Sequence, residues 1–264
     1  MKLGLFIFSL FALLSATAMA QKNTISKTKK LSLIENYLDS SGMEKNFSVP
    51  YLILQKHLSS PVLKAKFTPT EQEKLIGFFE SRLNAERIEE YVKAELLNSF
   101  TTYELKELNR LYEIDLMKKV TSIEEYSSSD EALEKANLFL KDPENIKHSG
   151  NRIHLLNQLI EAQGADIQAK TLTLESIKGL HRGLKKVLPK EKRVSDEKAN
   201  LAIELISKNP ASYFKNTLLL RYQHSYRDLS DLELKNLIKL SNNILIRKAR
   251  QASMSGIKKA FLTI

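Results

Sequence analysis

A chain of 264 residues with 41 Lys+Arg against 31 Asp+Glu, and no cysteine, is long enough for one large core or two small ones. It excludes disulfides, thiol nucleophiles and thiolate metal sites. Only 8 glycines and 6 prolines are present, well under the usual share of about 7% and about 5%. No train of alternating β-branched runs joined by Asn-Gly or Asp-Gly turns is visible. The composition therefore predicts an all-α protein. The charge is uneven: residues 21–125 are neutral, residues 126–147 carry −2, and residues 148–264 carry +11.

In chain order, Lys2, an apolar run at 3–14 and a small-residue tail ending Ala18-Met19-Ala20 read as a secretory signal peptide over residues 1–20. Twelve apolar residues are too few for a span, which needs about 20. The expectation is export, to the periplasm of a Gram-negative bacterium or otherwise into the medium, as a chain with no transmembrane span after cleavage. A first helix is predicted from near Thr28 to Gly42, where glycine suits a left-handed helix end. A second apolar segment follows at 43–58, with a bend expected at Pro50. Phe67-Thr68-Pro69-Thr70-Glu71 is a capping box with proline at the first helical position. The pattern returns at Phe100-Thr101-Thr102-Tyr103-Glu104 and Leu229-Ser230-Asp231-Leu232-Glu233, and in degraded form at Val194-Ser195-Asp196-Glu197. A serine run at 127–129 and a helix over 131–140 form a linker, residues 126–150, between a first helical unit (21–125) and a second, basic one (151–264).

The two units share a pattern. LSLIENYLDSSGM at 31–43 returns as IHLLNQLIEAQGA at 153–165, with apolar residues matched at Leu31/Ile153, Leu33/Leu155, Ile34/Leu156, Tyr37/Leu159 and Leu38/Ile160 and glycines at Gly42/Gly164. The capping boxes follow in the same order at a slowly growing offset. An internal tandem duplication giving two related helical bundles is therefore expected; amphipathic helices with capping boxes also resemble one another without common origin. Whether the units pack separately or as one bundle stays open at this stage.

Ser41-Gly42-Met43-Glu44-Lys45 and Phe78-Phe79-Glu80-Ser81-Arg82-Leu83-Asn84 resemble segments of an exported helical bacterial family, domain of unknown function 2059, over residues 30–120 and weakly over 150–260. Arg82 and Asn84 stand where that family has proline and glycine, so the helix is expected to run on through Asn84 or to turn there with Asn84 left-handed. The resemblance implies an exported helical domain and no activity.

Motifs of catalysis are sparse. Glu80-Ser81-x-x-Asn84 is similar to the catalytic glutamate segment of lytic transglycosylases, but the glycine-rich segment that follows there is absent. The alternative for Glu80 is a solvated helix residue. Of His57, His148, His154, His181 and His224, no two have the i, i+4 spacing of a helical zinc site. No phosphate loop, nucleophile elbow, metal site or cofactor site is expected. Gly179 and Gly183 point to close helix packing. The functional lead is basic: Lys185, Lys186, Lys190, Lys192 and Arg193 around Pro189, then Arg247, Lys248, Arg250, Lys258 and Lys259 on an amphipathic C-terminal helix. They suggest an anionic partner, with a solvated basic face as the alternative. The expected function is a non-catalytic envelope protein whose basic half binds a membrane surface, lipopolysaccharide or an acidic protein. A periplasmic chaperone is the second reading, and a cell-wall glycan hydrolase built on Glu80 the third. Nucleic acid is not favoured, because no aromatic residues interleave the basic ones.

Overall fold

Every regular element is a helix among the described residues of the computed structural model, which are 27–61, 65–127, 129–141, 150–208 and 211–264. The signal segment lies outside them. The helices are α1 (27–40), α2 (Val49–Leu58), α3 (Pro69–Leu83), α4 (Ala85–Ser99), α5 (Thr102–Tyr112), α6 (Asp115–Ser127), α7 (Asp130–Lys141), α8 (Gly150–Gln163), α9 (Ala165–Val187), α10 (Asp196–Lys208), α11 (Ala211–Ser225), α12 (Asp231–Ser241) and α13 (Ile244–Leu262). Short 3₁₀ turns occupy Glu44–Asn46 and Lys190–Lys192.

The local signals act as read. α1 ends in a Schellman motif: Gly42 has φ +65°, its N–H bonds Asp39 O at 2.9 Å, and Met43 N–H bonds Leu38 O at 3.0 Å. Gly164 has φ +61° and keeps the first of these bonds, to Glu161 O at 3.0 Å; α9 begins at the next residue. Reciprocal capping boxes start α3, α5 and α12 at Thr68, Thr101 and Ser230. At Ser195 only half of the box forms, because position N3 is Lys198, whose N–H reaches Ser195 Oγ at 3.4 Å. Phe100 and Leu229 are buried with Leu105 and Leu234, as hydrophobic staples require.

Two local expectations are corrected. Pro50 falls in the first turn of α2, where its missing N–H costs nothing, so no bend arises. The chain also breaks at Asn84, which is neither helical nor left-handed. Its backbone is extended (φ −63°, ψ 161°), and its Oδ1 accepts the Arg87 N–H at 2.9 Å to cap α4.

One hydrophobic core takes Ile34, Leu54, Phe79 and Val92 from the first half and Leu156, Leu184, Leu234 and Phe261 from the second. Among the described residues, six helices on each side of α7 follow the same order. α3 packs on α2 as α10 packs on α9. α5 holds α1 through Asn109 Nδ2 on Leu33 O (2.9 Å), as α12 holds α8 through Asp231 on Arg152 (3.0 Å). The sixth helix of each set crosses over: α6 packs on α11 and α12, while α13 packs on α4 and α5. Glycines permit the closest approaches. A Cβ on Gly256 of α13 would lie 2.6 Å from Val92 Cα in α4, and one on Gly183 of α9 would lie 2.2 Å from Phe79 Cζ in α3.

Candidate functional site

The helix crossing leaves a cavity of about 570 Å³ where the halves meet, lined by side chains of α2, α6, α7, α9, α11, α12 and α13 among others. Met43, Phe47, Val49, Met117, Leu172, Leu218, Ile246, Met254 and Ile257 supply its apolar wall. The polar members sit on helix faces that otherwise carry core residues. On α6, Glu124 continues the stripe of Met117 and Val120; on α13, Arg250 lies between Ile246 and Ser253. Both are charges placed on an apolar face, which is costly without compensation.

Compensation is visible for each. Tyr226 Oη donates to Glu124 Oε1 at 2.6 Å, and Gln163 also bonds this carboxylate. Gln163 Oε1 in turn accepts Tyr222 Oη at 2.5 Å. Burial still dominates and holds the Glu124 carboxyl above the usual carboxylate range, with the two hydrogen bonds and the Arg250 charge opposing. Arg250 Nη2 donates to Ala162 O at 3.0 Å and to Ser241 O. These are carbonyls in the last turns of α8 and α12, where a cation meets the negative ends of both helix dipoles. Burial nevertheless pulls the guanidinium below its ordinary range.

The remaining polarity is unspent. Arg250 Nε and Nη1, Ser253 Oγ and Tyr37 Oη are all buried without a hydrogen-bond partner. Tyr37 Oη lies beside Tyr112, Ser41 and Ser253, and burial pushes its hydroxyl up to about 12. Buried donors usually find partners; Arg250 and Ser253 line the cavity, and Tyr37, outside the lining, touches its residues Ser41, Tyr112 and Ser253. At the rim, Arg221 lines the cavity while remaining exposed.

The basic residues singled out in the sequence are placed differently from a free anion-binding surface. Lys185 pairs with Asp196 (2.8 Å), Lys192 with Glu71 (2.8 Å), Lys248 with Glu104 (2.5 Å) and Lys259 with Glu95 (2.6 Å). Lys186 bonds Ile264 O, and Arg193 bonds Leu188 O at 2.7 Å. Arg250 enters the cavity. Lys190, Arg247 and Lys258 are exposed, and no ion pair is found for them among the described residues. Seven of the ten thus have a partner within the chain, while Lys185, Lys186, Lys192 and Lys259 stay exposed at the surface.

Glu80 is exposed on α3 and does not line the cavity. Ser81 beside it donates to Phe78 O at 2.9 Å. His181 Nε2 pairs with Asp196 at 2.7 Å, His224 stacks edge-on with Phe139, and His57 and His154 are exposed; His148 lies outside the described residues. Sequence reading named Arg250 as a surface cation and missed Tyr37, Glu124, Gln163, Tyr222, Tyr226 and Ser253. The available signal was a charged residue interrupting the apolar stripe of α6. Comparison with protein-family models, with curated proteins and with solved structures found no match.

Proposed function

We propose that this is a non-catalytic binding protein of the bacterial envelope, exported through residues 1–20, whose site is the central cavity rather than its basic surface. The observation that carries the reading is the set of buried, unpartnered polar atoms on Arg250 and Ser253 in the lining of a largely apolar space. A cavity of this size, apolar with a few convergent polar groups, is the usual form of a small-molecule site. The pairing of most basic residues with acids or carbonyls weakens the alternative of an anionic surface partner. The exposed place of Glu80 lends no support to a hydrolase, which would need a dry pocket around its acid. We also read the two sets of six helices as a tandem duplication; the matched helix order, paired left-handed glycines and reciprocal crossing of α6 and α13 support this, and export agrees with the resemblance to domain of unknown function 2059.

The test is a thermal-shift screen of the full chain against small apolar acids, amines and neutral analogues, repeated with Leu172→Trp, which fills the cavity. Compounds that raise Tm in the natural chain and not in the variant support the reading. Equal shifts in both, or no shift with any compound, count against it. Export is checked separately: N-terminal sequencing of envelope material should begin at Gln21.

A further inference from the structure

Resting on that reading, we infer that the cavity binds a monocarboxylate with an apolar tail, its carboxylate seated on Arg250 and flanked by Ser253. Four features lead there. First, Arg250 spends one terminal nitrogen on the Ala162 and Ser241 carbonyls, which fixes the guanidinium. Its Nε and Nη1 are left buried and unpartnered, two N–H groups from a planar cation that carboxylates accept in pairs. Second, Ser253 Oγ, in the same lining, is a hydroxyl able to donate to the same anion, with Tyr37 set against it from outside the lining. Third, the charge count favours one negative charge. Arg250 is the fixed cation lining the interior, Arg221 stays at the exposed rim, Glu124 stands in the same space, and burial holds the lining His224 ring below its ordinary range, towards its neutral form. Burial holds the Glu124 carboxyl towards its neutral form, which leaves Arg250 to one anion, and a phosphate dianion lacks a second buried cation. Fourth, the walls beyond the polar end are Phe47, Met117, Leu172, Ile246 and Met254, and flexible methionines adapt to a chain rather than to a rigid polar ring. The exposed Arg221 would draw the anion to the mouth.

The probes are decanoate, decanol and decylamine, with octanoate and dodecanoate to vary length, titrated calorimetrically into the full chain. Decanoate should bind at least tenfold more tightly than decanol, and decylamine should not bind. Affinity should rise about fourfold for each added methylene until the cavity is filled. Arg250→Met should reduce decanoate binding at least tenfold and leave decanol unchanged. Because Arg250 also caps α8 and α12, the variant is checked for its fold by circular dichroism; if the fold is lost, Ser253→Ala decides, with a several-fold loss for decanoate and none for decanol. Decanol binding as well as decanoate, or decanoate indifferent to these variants, overturns the carboxylate inference while leaving the cavity as the site. Ligands that bind equally to Leu172→Trp overturn the cavity itself.

Discussion

Gly256 shows how little room one residue can leave. A Cβ there would meet the backbone of the opposing helix, at 2.6 Å from Val92 Cα and 2.7 Å from its nitrogen. Backbone cannot rotate away as a side chain can, so α13 and α4 would have to separate along their contact. Gly256→Ala should therefore destabilise by about 2–3 kcal/mol, at the upper end of overpacking costs, read as a lower urea midpoint with little change in slope. Gly77 meets nothing within 4 Å of an added Cβ, and Gly77→Ala in the middle of α3 should instead stabilise, by about 0.5–1 kcal/mol. Opposite signs from the same chemical change would isolate packing from helix propensity. Sequence alone sees both as glycines within helical runs, because what distinguishes them is a partner more than 150 positions away.

At the scale of the helix, the capping glutamates serve twice. Glu71, Glu104 and Glu233 each close their own helix start through Oε2, at 2.9, 2.7 and 2.7 Å from the backbone N–H of Thr68, Thr101 and Ser230. Each also holds a lysine from the other half through Oε1: Lys192, Lys248 and Lys119. The boxes were legible as S/T-x-x-E patterns; their lysines were not, since no local rule links Thr101-x-x-Glu104 to position 248. The Lys248 contact and the Thr101 backbone bond hold the Glu104 carboxyl at about 2, against an ordinary 4.5. A carboxyl lowered by folding contributes stability that is present above its ordinary value and is lost as pH falls towards 2. Melting temperature should thus decline between about pH 5 and pH 2. Glu104→Gln keeps a side chain able to cap but removes the charge, so it should cost about 1 kcal/mol or less at pH 7 and flatten that decline, as differential scanning calorimetry across the pH range would record.

For the whole molecule, the reciprocal crossing of α6 and α13 makes each half complete only with the other. A protease site placed after Ser129, in the turn between α6 and α7, tests this. After cleavage the fragments should co-elute on size exclusion and melt as one unit, while each expressed alone should lack a cooperative transition. Two independently melting fragments would instead mean separate domains. The helical class, most helix starts and the repeated order could be read from periodicity and caps, which act within a few residues. The crossing and the cavity could not, since they depend on which apolar stripe meets which. The lysine contacts are hidden for the same reason: net charge says nothing of how many lysines face a carboxylate.

The seam between α4 and α13 also sets an order of events. Ser255 Oγ reaches Glu95 at 2.7 Å across 160 positions of chain. Helical proteins ordinarily fold fast because their contacts are local; the most extensive helix pair here is not. During synthesis from the N-terminus, Ile88, Val92 and Leu96 on α4 are made well before Ala249, Ala252 and Gly256 exist to cover them. For that interval the nascent chain carries an open apolar stripe, the kind of surface that draws either a holding factor or another unfinished chain.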